Sequence, residues 1–246
     1  MAETDFGYRR VAAEEHVRLV RGVFDSVASK YDLMNDLMSG GLHRAWKAAL
    51  MDWLDPRPGQ TLADLAAGTG DIAIRFMKRV KGAGAGILCD AAESMLRVAV
   101  DRALDAGIAS GLSYVCADAA ALPLARDTAD CCTIAFGLRN VTRRAEALRE
   151  IHRILKPGGH FLCLEFSHVG VPFLRELYDL YSFRVLPALG EIVAGDREAY
   201  RYLAESIRRF PDQQALAGEI AEAGFANVRW RSLSAGIVAI HSGWRI

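Results

Sequence analysis

Apolar positions in the middle of the chain change period repeatedly, from short continuous runs to helical spacing and back. The short runs predict five strands, at Leu62–Ala66, Ile87–Cys89, Leu112–Cys116, Ala129–Phe136 and Phe161–Phe166. Between them apolar residues recur every three or four positions. Ile72, Phe76 and Val80 stand four apart within a predicted helix over Asp71–Val80. A second helix is expected from about Glu93 to Ala106. A third covers Ala145–Leu155, with Ala147, Leu148, Ile151, Ile154 and Leu155 on one side, and is expected to stop at the turn Lys156-Pro157-Gly158-Gly159. Strands alternating with helices predict a parallel sheet with helices on both faces.

Both ends depart from this rhythm. Residues 1–55 are helical in pattern and precede the first strand, so they are expected to form an N-terminal helical cap. The segment 167–209 is rich in aromatics and lacks a strand pattern. Leu174, Leu177, Tyr178 and Tyr181 fall at i, i+3, i+4 and i+7, which predicts a helical lid inserted after the fifth strand. A helix over Gln213–Ala223 then leads to strands at Asn227–Leu233 and Gly236–His241. Only Ser234-Ala235 separates them, which forces an antiparallel pair. The expected fold is α/β and Rossmann-like: one domain over 1–246, with a mostly parallel seven-stranded sheet, a C-terminal antiparallel hairpin and helices on both faces.

The candidate chemistry sits in Leu62-Ala63-Asp64-Leu65-Ala66-Ala67-Gly68-Thr69-Gly70-Asp71, a strand that runs into a glycine loop and a helix start. Gly68 and Gly70 let backbone approach a ligand closely, because no Cβ intervenes. Asp90 lies twenty residues beyond Gly70, at the tip of the second strand, where a carboxylate can accept from both ribose hydroxyls. Gly68-x-Gly70-x-x-Ala73 also satisfies the loose dinucleotide fingerprint, so the loop alone leaves a nicotinamide enzyme and an S-adenosylmethionine (SAM) enzyme both open. Asp64 and Asp71 tilt the balance: two carboxylates beside the loop repel a pyrophosphate and suit the ammonium and sulfonium charges of SAM.

Composition narrows the classes. Lys plus Arg and Asp plus Glu number 30 each, a formal net charge of zero, so no broad nucleic-acid-binding face is expected. The five cysteines, 89, 116, 131, 132 and 163, show no metal or redox spacing and read as reduced and structural, hence cytosolic. Met1–Arg10 carries acids and no apolar core of a signal peptide. No apolar run approaches the roughly 18 residues of a membrane span.

Longer motifs carry a resemblance. They are Val23-Phe24-Asp25-Ser26-Val27-Ala28-Ser29-Lys30-Tyr31-Asp32-Leu33-Met34-Asn35-Asp36, the glycine loop, Phe136-Gly137-Leu138-Arg139-Asn140-Val141, Leu155-Lys156-Pro157-Gly158-Gly159, Tyr181-Ser182-Phe183 with Val185-Leu186-Pro187, and Tyr200-Arg201-Tyr202-Leu203-Ala204-Glu205-Ser206-Ile207. Together they make the chain resemble the ubiquinone/menaquinone biosynthesis C-methyltransferases, class I SAM-dependent enzymes, over nearly its whole length. The glycine loop and the Lys-Pro-Gly-Gly turn are shared by many methyltransferases; the Phe-Gly-Leu-Arg-Asn and Tyr-Arg-Tyr-Leu-Ala-Glu-Ser runs are specific.

The resemblance implies SAM as co-substrate, no metal, and cofactor contacts at Gly68, Thr69 and Gly70, at Asp90, and at Asp118-Ala119. Many relatives carry Asn where Asp118 stands and Ser where Ala135 stands; no cofactor contact is carried over to Ala135. The implied reaction is methyl transfer to a ring carbon of a polyprenylated benzoquinol or demethylmenaquinol. Arg139 and Asn140, just past the fourth strand, are the expected catalytic pair: Arg139 lowers the phenol pKa, and Asn140 orients the phenol or a water. The competing roles are a surface ion pair for Arg139 and a helix cap for Asn140. His168 is a second candidate base, and Asp32 and Asn35 are candidates for closing over the cofactor.

The expected partner is a prenylated quinol. Its tail implies peripheral contact with the inner face of the membrane from a cytoplasmic location, with Arg143-Arg144 and Arg208-Arg209 as candidate headgroup contacts, and other quinone-biosynthesis enzymes are expected neighbours. Alternatives weighed are another small aromatic or lipid-like acceptor, a nucleic-acid methyltransferase, a nicotinamide dehydrogenase, and a non-catalytic subunit of a quinone-synthesis assembly.

Overall fold

The protein is seen here as a computed structural model that describes residues 3–27, 35–36, 39–168 and 197–246. A short antiparallel hairpin comes first, β1 (Glu3–Phe6) and β2 (Arg9–Ala12), followed by α1 (Ala13–Val27) and α2 (His43–Leu54). The alternating core then runs β3 (Thr61–Leu65), α3 (Asp71–Arg79), β4 (Ala85–Asp90), α4 (Glu93–Asp105), β5 (Leu112–Cys116), β6 (Ala129–Ala135), α5 (Arg144–Ile154) and β7 (Leu155–Phe166). It closes with α6 (Arg197–Arg209), α7 (Gln213–Glu222), β8 (Ala226–Leu233) and β9 (Val238–Trp244).

Seven strands form one sheet in the order β5-β4-β3-β6-β7-β9-β8. All neighbouring pairs are parallel as far as β7, and β9 runs antiparallel to both β7 and β8. The predicted α/β fold with its C-terminal antiparallel hairpin is therefore present. Alternation along β3 sends Leu62 into the core on one face and Ala63 and Leu65 into the core on the other. On the first face Leu62 meets Trp46 and Leu50 of α2 and Phe76 of α3; on the second, Ala63 and Leu65 share a core with Leu148 and Ile151 of α5 and Ile220 of α7. Burying both faces is what makes these strands read as continuous apolar runs.

Two expectations change. Residues 3–12, read as part of a helical cap, form the β1–β2 hairpin, because a strand pair of four residues is too short to show a period distinct from a helix turn. The Lys156-Pro157-Gly158-Gly159 stretch does not separate α5 from β7: the helix ends at Ile154, and Leu155 already pairs with Ala129. The next pair is Cys131 with His160, so the four residues bulge out of the ladder, with Gly158 at φ 79° and its N–H donating to the Arg245 carbonyl. Of the expected lid over 167–209, residues 169–196 lie outside the described residues, as does Asp32; α6 is the described part.

Candidate functional site

The chain winds outward from β3 through β4 to β5, then returns to place β6 on the other side of β3. Such a switch point leaves a crevice at the carboxyl ends of the strands. The two strand tips there are strained. Ala66, just past β3, has φ 47°, and Phe136, just past β6, has φ 58°, positions that L residues occupy at a cost of order 1–3 kcal/mol. Gly137 lets the tips meet, since a Cβ on it would sit 2.4 Å from Ala66 Cβ.

A cleft of about 320 Å³ opens at this point, within the size range of small-molecule sites. Gly68, Asp90, Asp118, Ala119 and Asn140 line it, together with Phe136 and Thr142. Val17, Val20 and Arg21 close it from α1, a contribution sequence reasoning did not assign. His16 on the same helix is buried and shares a 2.7 Å hydrogen bond with Thr142 Oγ1. Burial holds its pKa below the ordinary histidine value.

Asp90 is built into the glycine loop. Its Oδ2 accepts from Gly68 N–H at 2.8 Å and its Oδ1 from Ala92 N–H at 2.9 Å. Burial raises its carboxyl pKa, and the backbone donors pull it part of the way back. Each oxygen retains lone-pair capacity for a ligand hydroxyl. Asp118 stands half exposed: Oδ1 accepts from Ala120 N–H at 2.9 Å and Oδ2 from Arg143 Nη2 at 2.8 Å. Gly70 caps α3 at φ 76°, where a Cβ would lie 3.0 Å from Ala99 Cβ.

Thr69 does not line this cleft. It is buried, its Oγ1 accepts from Arg102 Nη1 at 2.8 Å, and it faces a smaller cavity beside Lys47, Asp64, Asp71 and Ala135. In that cavity Asp64 is 1 % exposed; Thr133 donates to its Oδ1 at 2.7 Å while Oδ2 has no partner among the described residues. Burial pushes the Asp64 carboxyl up to about 7. Asp71 is paired with Lys47 at 2.9 Å and Arg75 at 3.0 Å. The pair of free charges inferred from sequence beside the loop is thus one neutralised carboxylate and one that burial drives toward its protonated form.

Arg139 is also not a free cation. Its Nη1 donates to Glu165 Oε1 at 2.7 Å and to the Phe136 carbonyl at 2.6 Å, with the side chains 4 % and 1 % exposed. Glu165 accepts further from Phe166 N–H at 2.8 Å and Arg139 N–H at 3.3 Å. The partner is a buried acid at the end of β7, not the surface acid of the competing expectation. Glu165 was legible as a lone charge in the apolar run Phe161–Phe166, a signal the strand assignment passed over. Asn140 belongs to a single turn of 3-10 helix, Leu138–Asn140, and accepts at Oδ1 from Tyr202 OH at 3.0 Å. Arg139 Nε and Asn140 Nδ2 are both buried donors with no partner among the described residues, and of the two residues Asn140 lines the cleft while Arg139 does not.

The remaining expectations divide. His168 binds the Phe210 carbonyl at 2.8 Å and does not line the cleft. Asn35 is half buried and leaves its Nδ2 unpartnered. Arg143 is held by Asp118 and Glu146, Arg144 by Glu219, and Arg209 lies 3.7 Å from Asp5. Cys89, Cys131, Cys132 and Cys163 are buried thiols, with burial pushing Cys89 and Cys131 up to about 12; Cys116 is exposed.

The cleft is thus lined by carboxylate acceptors past the β4 and β5 tips and, past the β6 tip, by Asn140, whose Nδ2 is unmet among the described residues; Arg139, the other expected catalytic residue, does not line it. Acceptors at ribose distance from a glycine loop fit an adenosyl ligand, and Arg21 is the one basic side chain lining the cleft among the described residues, a poor complement to a pyrophosphate.

Similarity to known proteins follows this geometry. The fold is shared with a SAM-dependent methyltransferase from Thermotoga maritima at TM-score 0.67 and 18 % identity, covering 92 % of this chain and 100 % of that one. A SAM-dependent methyltransferase from Aquifex aeolicus aligns at TM-score 0.59 and 15 % identity, over 81 % of this chain and 89 % of that one. In sequence, the chain is 57 % identical to the ubiquinone/menaquinone biosynthesis C-methyltransferase UbiE of Paracoccus denitrificans over 99 % of this chain and 97 % of the relative. It is 56 % identical to that of Methylobacterium nodulans at the same coverage. With residues 10–245 matching its profile, the chain belongs to the ubiE/COQ5 methyltransferase family.

Proposed function

We propose that this SAM-dependent C-methyltransferase methylates a ring carbon of a polyprenylated benzoquinol, a demethylmenaquinol, or both, with Arg139 and Asn140 acting on the acceptor ring. The observation that carries the site reading is the make-up of the cleft: acceptors at Asp90 and Asp118, and Asn140, whose buried Nδ2 has no partner among the described residues; Arg139 precedes it in the chain without lining the cleft. An unmet buried donor costs about 1–3 kcal/mol, so Asn140 Nδ2 marks a place where an acceptor oxygen is expected.

The bound co-substrate supplies an electrophilic methyl group on a sulfonium, whose leaving thioether is neutral and needs no acid. The protein's task is the ring. A ring carbon becomes nucleophilic when a neighbouring phenol gives up its proton and feeds charge into the ring. In this reading Asn140 would hold that oxygen as the phenolate forms, with Arg139 acting from beside it. Arg139 stays protonated and cannot be the base. Because Glu165 pairs with it, its field would reach the ring as that of an oriented dipole rather than of a bare cation. One preorganised donor on a developing oxyanion contributes about 3–4 kcal/mol. Holding ring and methyl in line contributes about 7–11 kcal/mol.

Asp90 would accept from the ribose hydroxyls and Gly68 would let the backbone lie against the cofactor. Asp118 would accept from the adenine amino group beside Ala119, in competition with Arg143. Thr69 would act through its backbone, its hydroxyl being engaged by Arg102, and Gly70 through the tight turn into α3. A prenyl tail on the acceptor would bring the enzyme to a bilayer surface as a peripheral protein; no described helix is long and apolar enough to cross a membrane.

The test is a quinone extract from cells lacking the protein. A precursor lacking one ring methyl is expected to accumulate and to be converted by purified protein with SAM; an unchanged quinone pool would overturn the reading. The nature of the precursor ring, benzoid or naphthoid, names the substrate. In parallel, S-adenosylhomocysteine is expected to raise the melting temperature and NAD to leave it unmoved.

A further inference from the structure

Asn140 presents a choice that its own side chain cannot make. A primary amide carries an acceptor oxygen and a donor nitrogen on one flat group, and rotation by half a turn exchanges them. A quinol oxygen gathering negative charge needs the nitrogen. Tyr202, on α6, reaches 62 residues back to Asn140, its OH lying 3.0 Å from Oδ1. Tyr202 is 4 % exposed, and no other hydrogen bond of its hydroxyl is present among the described residues. Were the amide reversed, the hydroxyl would accept from Nδ2 and its own proton would be left buried without an acceptor, at about 1–3 kcal/mol. The phenol proton therefore belongs on Oδ1. Nδ2 is then the free end, and it is buried and without a partner among the described residues, on a residue that lines the cleft.

Tyr202 is itself held. The Phe6 ring stacks on it with centroids 4.2 Å apart and planes 15° apart. One turn further along α6, Glu205 accepts from Tyr8 N–H at 3.0 Å. A Cβ on Gly7 would stand 2.2 Å from Glu205 Oε2, so the turn of the β1–β2 hairpin seats directly against that helix. The first hairpin of the chain thus braces the phenol that orients the amide.

We propose that Tyr202 is a positioning residue: its hydroxyl locks the Asn140 amide with the nitrogen toward the acceptor ring, and the Phe6 hairpin holds Tyr202 in place. This deepens the function proposed above and rests on it for its kinetic arm only.

Tyr202→Phe keeps the ring and the Phe6 stack and removes only the hydroxyl. The expected result is a fall in kcat of about tenfold, equivalent to one ordinary hydrogen bond of about 1.4 kcal/mol, with S-adenosylhomocysteine affinity and melting temperature unchanged. The fall is expected to vanish when Tyr202→Phe is made on an Asn140→Ala background. An equal fall in both backgrounds, or no fall at all in otherwise active enzyme, would overturn the proposal. A second readout does not depend on turnover. In nitrogen-labelled protein, the side-chain amide signals identified by their loss in Asn140→Ala are expected to shift and broaden in Tyr202→Phe. Unmoved signals would overturn it even if wild-type protein methylates no quinol, an outcome that would count against the functional reading alone.

Discussion

The two walls of the cleft carry opposite hydrogen-bonding deficits. At the tips of β3, β4 and β5 the polar groups are carboxylates, and those facing the cleft are already fed by backbone donors: Gly68 and Ala92 for Asp90, Ala120 for Asp118. Past the tip of β6 Asn140 faces the cleft, and its Nδ2 has nothing to give to among the described residues. The first wall is complete as it stands and needs only hydroxyls and an amine laid on it. The second is completed only by an oxygen from outside. An enzyme that joins a cationic donor to an anion-forming ring needs that division, because acceptors suit the first ligand and donors the second.

Four experiments break or sharpen the division. The largest effect is expected from Arg139→Ala, with turnover falling by about 10²–10³-fold while S-adenosylhomocysteine still binds. The same substitution strands Glu165 in the core and is expected to cost about 3–5 kcal/mol of stability. Arg139→Ala with Glu165→Gln removes the stranded charge, so recovered stability without recovered turnover separates the two roles. Denaturant titration and steady-state assay read them.

Next is Asp64, buried at the smaller cavity beside the glycine loop. Its folded pKa of about 7 lies above the ordinary aspartate value. The native state therefore keeps a proton that the unfolded chain releases, and stability falls as pH rises from about 4 to about 7. Asp64→Asn is expected to remove that loss, gaining up to about 4 kcal/mol at pH 8 and nothing below pH 4. Unfolding midpoints across that range measure it.

Gly137→Ala attacks the seam between the walls. The added methyl meets Ala66 Cβ, and overpacking of this kind costs about 1–3 kcal/mol; both cofactor affinity and turnover are expected to drop together. The smallest effect belongs to Arg143→Ala. The Arg143–Asp118 pair is about half exposed, so stability is expected to move by less than about 0.5 kcal/mol. Asp118 Oδ2 is freed, and S-adenosylhomocysteine is expected to bind about two- to fivefold more tightly by calorimetry.

Reading the chain found the first wall more readily than the second, for a physical reason. Gly68, Gly70 and Asp90 act through local backbone geometry: a turn that only certain residues can make, and an acid at the end of the next strand. Arg139 and Asn140 were found through a motif, but their surroundings were not. Glu165 lies 26 residues from Arg139 and Tyr202 lies 62 from Asn140, and no local pattern reports which distant side chain will meet which. Thr69 shows the converse: a residue in the right loop whose hydroxyl turns away to Arg102.

What the order of residues determined without help was periodic and local. The alternation of apolar runs specified a parallel sheet flanked by helices, the two-residue link specified the antiparallel close, and the glycine loop with Asp90 pointed to the crevice past the first two strand tips. What only packing decided was the state of each charge. Whether Asp71 is free or neutralised, whether Asp64 keeps its proton, whether Arg139 is a bare cation or half of a buried pair, and which end of the Asn140 amide is offered all depend on groups remote in sequence. Electrostatic energy and hydrogen bonding are set by distance and burial in space, and those come into being only when the chain has closed on itself.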